Sequence, residues 1–294
     1  MPYAGPLTNP EDIVTVARWA DELGYHSLWQ TDHVALPERV ESYYPYRKNN
    51  RWDYPPETKW VDPLLALAWA GAAAPALKLG TSVLVIPLRH PLLLAKQVSS
   101  LDFLTGGRVI LGVGVGWMEE EFKLMGQSFS NRGRRAIEMI KLMRELWSGE
   151  TIDFQDEFYR VPGCKMYPRP TQPNIPIVWG GHSEATLKRV AQIGDGWHPT
   201  QISLGQLEEG INKLKHYCEA SQRDPNSVLI IARPGDNYQI DAETQVRHVE
   251  LGIDHLIVDS PIKFNEDPGF KTLREQMERV AEICGLQPRP PNTL

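Results

Sequence analysis

The sequence predicts an α/β fold in which helices cover a parallel sheet closed as a (β/α)8 TIM barrel, in one domain over residues 1–294. Helix-type and strand-type segments alternate along the chain, which is typical of parallel sheets. The strand-type segments are almost continuously apolar, as expected for strands buried on both faces. No G-x-G-x-x-G motif follows the first strand, and "GVGVGW" at 112–117 comes only after the third. A barrel is therefore favoured over an open dinucleotide-binding sheet.

Capping residues followed by proline mark the helix starts. Asn9 precedes Pro10 and Asp62 precedes Pro63, a pairing that favours helix initiation, and Gly24 suits the end of the first helix. Further helices are predicted to start at Pro91, Asn131, Ser183, Asp241 and about Gly269.

Seven runs have the composition of buried β-strands. They are "HSLWQT", "LKLGTSVLVIP", "RVILGVGVG", "IPIVWGG", "GDGWHP", "SVLIIARP" and "DHLIVDS". A (β/α)8 barrel needs eight strands, but the chain reaches its first helix after only "MPYAGPLT". We therefore expect the first strand to be truncated at the N-terminus.

Two long insertions interrupt this pattern. Residues 34–61 are rich in aromatic and proline residues, and residues 149–175 combine a short β-excursion with a proline-rich return. Loops of this length in a compact domain are usually lids or binding loops, so both are expected near the active site. The less favoured alternative is that their aromatic residues cover an oligomer interface.

The composition excludes several classes of function. The net charge is −6 and no extended basic cluster is present, which argues against nucleic acid as a partner. No apolar run is suited to crossing a bilayer and no signal peptide is recognisable, so a cytoplasmic protein without membrane contact is expected. The three cysteines, at positions 164, 218 and 284, have neither disulfide-framework nor zinc-knuckle spacing and are expected to be free thiols.

Candidate catalytic residues stand where the first visible strand ends. In barrels of this type the active site lies at the carboxyl ends of the strands, and "SLWQTDH" places Asp32 and His33 there. An imidazole titrates near neutral pH and can transfer a proton; the alternative is that His33 is a hydrogen-bonded structural residue. The other strand ends predicted to face the same pocket are 82–87, 112–117, 180–183 and 196–199.

A second feature of these strand ends suggests an anion site. "GGHSEAT" places Gly180, Gly181, His182 and Ser183 where a strand turns into a helix N-terminus, which can bind phosphate. Tight strand-to-helix packing is the alternative reason for the glycines. No H-E-x-x-H, carboxylate cluster or G-x-S-x-G is present, so neither a catalytic metal nor a serine hydrolase is predicted. The pattern suits a planar organic cofactor that carries a phosphate.

Four segments together carry a family resemblance. They are "ADELGYHSLWQTDH", "LKLGTSVLVIPLRHPLLLAKQVSSLDFLTGGRVILGVGVGW", "GRRAIEMIKLMRELWSGE" and "PIVWGGHSEATLKRVAQIGDGWHP", and they cover residues 6–200 in the family's order. With them the chain resembles the luciferase-like superfamily of flavin and deazaflavin oxidoreductases, and most closely its coenzyme F420-dependent branch. The resemblance implies a TIM barrel and F420 as cofactor.

The same resemblance implies roles for individual residues. His33 would be the active-site imidazole, with Asp32 beside it holding a polar rim of the deazaflavin ring. Ser82 and Val83 would be joined by a cis peptide bond that supports the ring, Val85 would line the ring, and Glu120 would contact the cofactor. The phosphate would be held by Gly180, Gly181, His182 and Ser183. The sugar-phosphate dehydrogenases of the branch carry an acid directly after "GVGTG", but this chain has Trp117 after "GVGVG", so their substrate is not transferred.

Three functions follow as candidates. The first is an F420-dependent oxidoreductase that transfers a hydride to or from a small organic substrate. The others are an FMN-dependent monooxygenase supplied by a separate reductase, and a cofactor-binding paralogue without catalysis. A homodimer is expected, because the helices predicted at 63–76 and 91–104 are apolar on more than one face and family members commonly pair there.

Overall fold

The sheet contains every strand run predicted from the sequence. The structure, a computed structural model, describes residues 9–47, 49–235, 240–259 and 271–290. Within them the strands, in chain order, are β1 Ser27–Gln30, β2 Lys78–Thr81, β3 Leu84–Val85, β4 Val109–Gly114, β5 Ile152–Gln155, β6 Arg160–Cys164, β7 Ile177–Gly180, β8 Gly196–His198, β9 Leu229–Ala232 and β10 His255–Leu256.

All strands of the main sheet run parallel, in the order β1-β2-β4-β7-β8-β9-β10, with β3 also paired to β4. Strands β1 and β10 are the two ends of this curled sheet, and in the described part of the chain no strand pairing joins them. The rings of His26, just before β1, and His255, in β10, nevertheless stack with centroids 4.4 Å apart. The parallel α/β sheet is thus confirmed. Residues 1–8, where the truncated strand was expected, lie outside the described residues, so barrel closure and truncation stay predictions.

Helices occupy the connections between strands. They are α1 Pro10–Glu22, α2 Pro63–Ala73, α3 Pro91–Leu104, α4 Glu119–Leu124, α5 Arg132–Trp147, α6 Glu184–Ile193, α7 Leu204–Ala220, α8 Ala242–Glu250 and α9 Lys271–Ile283. The predicted caps are confirmed where side chains bond the first turn: Asn9 accepts from Asp12 N at 3.0 Å, and Asp62 accepts from Leu64 N at 3.0 Å. Helices α4 and α7 were not predicted, although Ser203 forms a capping box with Gln206 at the start of α7.

The predicted strand over 77–87 is divided into β2 and β3. Ser82 N still donates to Gln30 O at 2.7 Å, continuing the β1–β2 pairing. The chain then passes through a cis peptide bond between Ser82 and Val83, which was expected from the family resemblance. Strand β3 resumes pairing only against β4, so residues 82 and 83 protrude at the carboxyl edge of the sheet.

Side chains of the sheet alternate between two apolar layers. Leu111 and Trp179 pack with α5 residues such as Met139 in the large cluster outside the sheet. Ile110 and Val178, each one position earlier in its strand, join Trp29 in a second cluster formed on the sheet's other face. Gly80 is required beside Trp29, because a Cβ there would lie 2.2 Å from the indole.

Segment 149–175 belongs to the outer layer. Strands β5 and β6 form an antiparallel hairpin whose Ile152, Phe154 and Val161 side chains are buried in the large cluster. Backbone N–H groups of Phe158 and Tyr159 donate to the buried Glu138 carboxylate of α5. The predicted β-excursion is therefore confirmed, but it packs on a helix.

Two further expectations concern the cysteines and membrane-spanning helices. Cys164, Cys218 and Cys284 are free thiols, as predicted. Among the described residues, no helix combines the length and the apolar character needed to cross a membrane.

Candidate active site

A cavity of about 1810 Å³ opens at the carboxyl ends of the strands and continues toward the space between β1 and β10. It exceeds the usual volume of a small-molecule pocket, roughly 300–1,000 Å³. The predicted site residues that line it are Asp32, His33, Ser82, Val83, Val85, Gly180, Gly181, His182 and Ser183. Glu120 is not among the lining residues, and none of residues 149–175 is.

His33 is held by a carboxylate that the sequence analysis missed. Its Nδ1 lies 3.1 Å from Oε2 of Glu121, and both side chains are buried. Glu121 also accepts from the backbone N–H groups of Val34 at 2.6 Å and Ala35 at 3.3 Å. An ionised carboxylate only accepts hydrogen bonds, so the neutral imidazole carries its hydrogen on Nδ1. Nε2 is left as the acceptor, with no hydrogen-bond partner among the described residues.

Asp32 was predicted to hold a polar rim of the cofactor ring, but its carboxylate is bonded to groups of the protein. Its carboxylate accepts two hydrogen bonds from Arg89, at 2.6 and 2.8 Å, and one from Val85 N at 2.8 Å. Burial alone would lower the pKa of Arg89, but the Asp32 carboxylate raises it, so the pair is ionic. This fork geometry favours a role for Asp32 in joining the end of β1 to β3.

The Val83 side chain forms a shelf across two strand ends. A Cβ at Gly114 or at Gly180 would lie 2.6 Å from a Val83 methyl group, so only glycine lets β4 and β7 approach this side chain. A Cβ at Gly116 would lie 2.7 Å from Val85. The result is a smooth apolar surface that lines the cavity and suits one face of a flat ring.

A buried polar network lies beside this shelf. Ser82 Oγ is 2.8 Å from His198 Nε2, and His198 Nδ1 donates to Ile231 O at 2.7 Å, so the Ser82 hydroxyl donates to Nε2. Arg233 donates to Ser82 Oγ at 3.2 Å and is paired with Asp259. Burial lowers the pKa of His198 to about 4, so this imidazole is neutral at pH 7. No sequence motif had singled out this network.

The predicted anion site is a turn in front of α6. Gly181 has φ +111°, a conformation that favours glycine, and Ser183 caps α6 by accepting from Thr186 N at 3.2 Å. His182 Nε2 accepts from Thr200 N at 3.2 Å, and burial lowers the pKa of this imidazole. The N-terminus of α6 carries the partial positive charge of a helix dipole, which favours an anion. Gly181 also packs tightly against Thr186, as the alternative reason for the glycines requires.

Glu120 anchors a loop and does not face the cavity. It accepts from Glu41 N at 2.8 Å, Ser42 N at 2.9 Å and Ser42 Oγ at 2.6 Å. Burial alone would raise its pKa, but these hydrogen bonds lower it, so the carboxylate is ionised. The predicted cofactor contact at Glu120 does not agree with this placement. Glu120 and Glu121 are neighbours on the six-residue helix α4, and their side chains point in different directions. Glu121 points toward His33, and Glu120 points toward loop 34–61.

Loop 34–61 covers the cavity with aromatic side chains. The ring centroid of Trp52 lies 4.7 Å from that of His33 and 5.4 Å from that of Trp117. The ring of Tyr46 lies 6.1 Å from the ring of His182, measured between centroids, next to the turn before α6. Described residues of this loop between 44 and 60 thus line the strand-end cavity.

Comparison with known proteins is consistent with this fold. The family model for luciferase-like monooxygenases matches residues 1–240. An F420-dependent glucose-6-phosphate dehydrogenase of Amycolatopsis mediterranei is 34% identical over 284 residues, covering 93% of this chain and 77% of that protein. An uncharacterised protein of Mycobacterium tuberculosis is 32% identical over 279 residues, 95% of each chain.

Solved structures match at the level of the fold. An F420-dependent secondary alcohol dehydrogenase in complex with an F420-acetone adduct has a TM-score of 0.70 at 18% identity, covering 94% of each chain. A long-chain alkane monooxygenase has the same TM-score at 14% identity, covering 96% of this chain and 86% of that one. On the strength of the family model and the sequence relatives, this chain belongs to the luciferase-like monooxygenase family of oxidoreductases.

Proposed function

We propose that this protein is an F420-dependent oxidoreductase that transfers a hydride between the deazaflavin and a small organic substrate. The observation that carries the proposal is the oriented imidazole of His33, with Nδ1 bound to Glu121 and Nε2 available in the cavity. Sequence relatives named as F420-dependent glucose-6-phosphate dehydrogenases, 34% and 30% identical, support this choice of cofactor.

The residues present fit such a cofactor. The Val83 shelf, flanked by Gly114 and Gly180, offers a flat apolar surface to a tricyclic ring. Ser82, Val83 and Val85 would support the ring, and residues 180–183 would hold the phosphate at the N-terminus of α6. When bound, the deazaflavin supplies or accepts the hydride, and its carbon in place of N5 disfavours oxygen insertion.

The chain's own contribution is proton transfer and exclusion of water. Because Glu121 fixes the hydrogen of the neutral imidazole on Nδ1, Nε2 of His33 accepts a proton from the substrate in one direction and returns it in the other. Trp52 and Trp60 of loop 34–61, together with Trp117 after β4, surround the imidazole and keep bulk water from this atom. Asp32 acts indirectly, by fixing β3 and the shelf through Val85 N.

Anaerobic titration with F420 and with FMN, followed by cofactor fluorescence, tests the proposal. We expect F420 to bind at least tenfold more tightly. Equal dissociation constants, or tighter FMN binding, would contradict the proposal and favour an FMN-dependent monooxygenase supplied by a separate reductase. Tight F420 binding without hydride transfer to any substrate would favour the non-catalytic paralogue.

We also propose that a second copy of the chain covers helices α2 and α3. Leu65 and Trp69 on α2 are 69% and 56% exposed, and Leu93 and Leu104 on the adjacent α3 are 59% and 77% exposed. Exposed apolar surface of this extent is typical of protein interfaces. Sedimentation equilibrium is expected to give a mass of two chains, and the mass of one chain would contradict the homodimer.

A further inference from the structure

One set of side chains in the cavity has no role in the proposed chemistry beyond shielding His33 from water. Tyr44, Tyr46, Trp52, Tyr54 and Trp60 of loop 34–61, together with Trp117 after β4, all line the cavity and are all only partly buried. We call these six residues the aromatic box.

The rings of the aromatic box form one connected group around the imidazole. Tyr44 lies 4.8 Å from Trp117 and 5.3 Å from Trp52, measured between ring centroids. Trp52 and Trp60 lie 4.7 Å and 4.8 Å from His33. Any molecule that reaches Nε2 of His33 from the loop side therefore contacts these rings.

The aromatic box is fixed to helix α4 by two carboxylates at its root. Glu121 accepts from Val34 N and Ala35 N, and Glu120 accepts from the backbone of Glu41 and Ser42. Ser42 Oγ in turn accepts from Glu119 N at 3.0 Å. These bonds set the position of the loop immediately before Tyr44, so the rings are preorganised and do not form a loose surface cluster.

Among the residues that the structure describes, the charged side chains that line the cavity beside the aromatic box each have a bonded partner. Arg47 is bonded to Asp53 and lies over the Tyr54 ring, and Arg233 is bonded to Asp259 at 2.8 Å. Glu121 is bonded to His33 and Asp32 to Arg89. No lysine is among the lining residues that the structure describes. A charged ligand would lose hydration here without gaining an uncommitted counter-ion, which is costly.

We propose that the aromatic box binds the flat, uncharged aromatic or conjugated ring of the substrate, packed against Trp52 and Trp117 beside His33. Stacked and edge-to-face ring contacts favour such a ring over a saturated one of equal size. The proposal rests on the proposed function only in taking the bound ring to be the substrate. It separates this chain from enzymes that act on sugar phosphates, because the described residues that line the cavity include no uncommitted cation to receive a phosphate.

Equilibrium dialysis of the full chain against four probes tests the proposal. Coumarin is flat and uncharged, octahydrocoumarin is its saturated counterpart, coumarin-3-carboxylate is anionic, and phenyltrimethylammonium is cationic. We expect coumarin to bind at least tenfold more tightly than the other three. Equal binding of octahydrocoumarin, or tighter binding of either ion, would overturn the proposal.

Dialysis in the presence of F420 distinguishes the aromatic box from the ring site of the cofactor. Coumarin is expected to bind with unchanged affinity at saturating F420, and its displacement by F420 would overturn the assignment. If F420 itself fails to bind, the proposed function fails, but the preference of the cofactor-free protein for coumarin is still measured. The two proposals therefore fail separately.

Variants locate the binding surface. Trp52→Ala is expected to weaken coumarin binding at least tenfold, and Trp52→Phe, which keeps a ring, by less than threefold. Tyr43→Ala is the matched control, because Tyr43 lies in the same loop but is 65% exposed and outside the aromatic box. If Trp52→Ala lowers the melting temperature, Trp117→Ala, outside the loop, gives the same test. Unchanged binding in a folded Trp52→Ala or Trp117→Ala protein would overturn the proposal.

Discussion

Loop 34–61 and segment 149–175 look alike in the sequence, since both are long, proline-rich and aromatic. In the structure, loop 34–61 places its rings over the cavity, whereas segment 149–175 buries Phe154 and Val161 against α5. Loop 34–61 follows a strand, β1, and so begins at the carboxyl edge of the sheet where the site lies. Segment 149–175 follows a helix, α5, and begins at the opposite edge. The preceding element therefore decides whether such an insertion reaches the active site.

The largest expected effect is at the root of loop 34–61. His33→Ala is predicted to lower kcat by about 10²- to 10⁴-fold, because it removes the proton-transferring group. Cofactor affinity should change by only a few fold, and His216→Ala, an exposed histidine of α7, is the matched control. A lower melting temperature with a parallel loss of binding and turnover would instead identify His33 as structural.

The opposite pattern is expected in segment 149–175. Phe154→Ala should lower the free energy of unfolding by about 3–5 kcal/mol, because a buried ring is replaced by a cavity. The kcat of the remaining folded protein should be unchanged. Denaturant unfolding and turnover measure the two quantities, with Asp153→Ala, exposed on the same strand, as the control. A fall in kcat without loss of stability would give this segment a role in the site.

Stability should also depend on pH through the buried network beneath loop 34–61. The pKa of His198 is lowered to about 4, chiefly by burial; the hydrogen bond to Ile231 O and the Asp259 carboxylate oppose this shift, whereas Arg233 and His182 add to it. Between pH 6.5 and pH 4, His198 is protonated in the unfolded chain but stays neutral in the folded chain. The free energy of unfolding therefore falls by about 3 kcal/mol as the pH is lowered over this range. The full contribution is present above pH 6.5. His198→Gln should remove this slope, and an unchanged slope in that variant would contradict the assignment.

The smallest expected effect distinguishes neighbouring residues of α4. Glu121→Gln should lower kcat by about tenfold with little change in KM, because His33 loses the carboxylate that orients it. Glu120→Gln weakens the bonds to Glu41 and Ser42 but leaves His33 in place, so its kcat should stay within twofold. Equal effects in the two variants would mean that Glu121 acts only by anchoring the loop.

Much of the fold was predictable because its signals are local. Caps such as Asn9 and Asp62 bond residues of their own helix, and the apolar runs form strands whatever their order in the sheet. The same locality explains why the run at 77–87 was predicted as one strand. Its division at Ser82 depends on pairing with two different strands, β1 on one side and β4 on the other.

The sequence by itself determined the alternation of helices and strands, and with it the edge of the sheet at which Asp32, His33 and residues 180–183 stand. These features follow from side-chain periodicity and from the direction of parallel strands. Only the tertiary structure decided that Glu121 faces His33, that Glu120 faces loop 34–61, and that Arg89 occupies the Asp32 carboxylate. Such partners lie far apart in sequence, and which of two adjacent glutamates meets the imidazole depends on the rotation of a six-residue helix that packing sets.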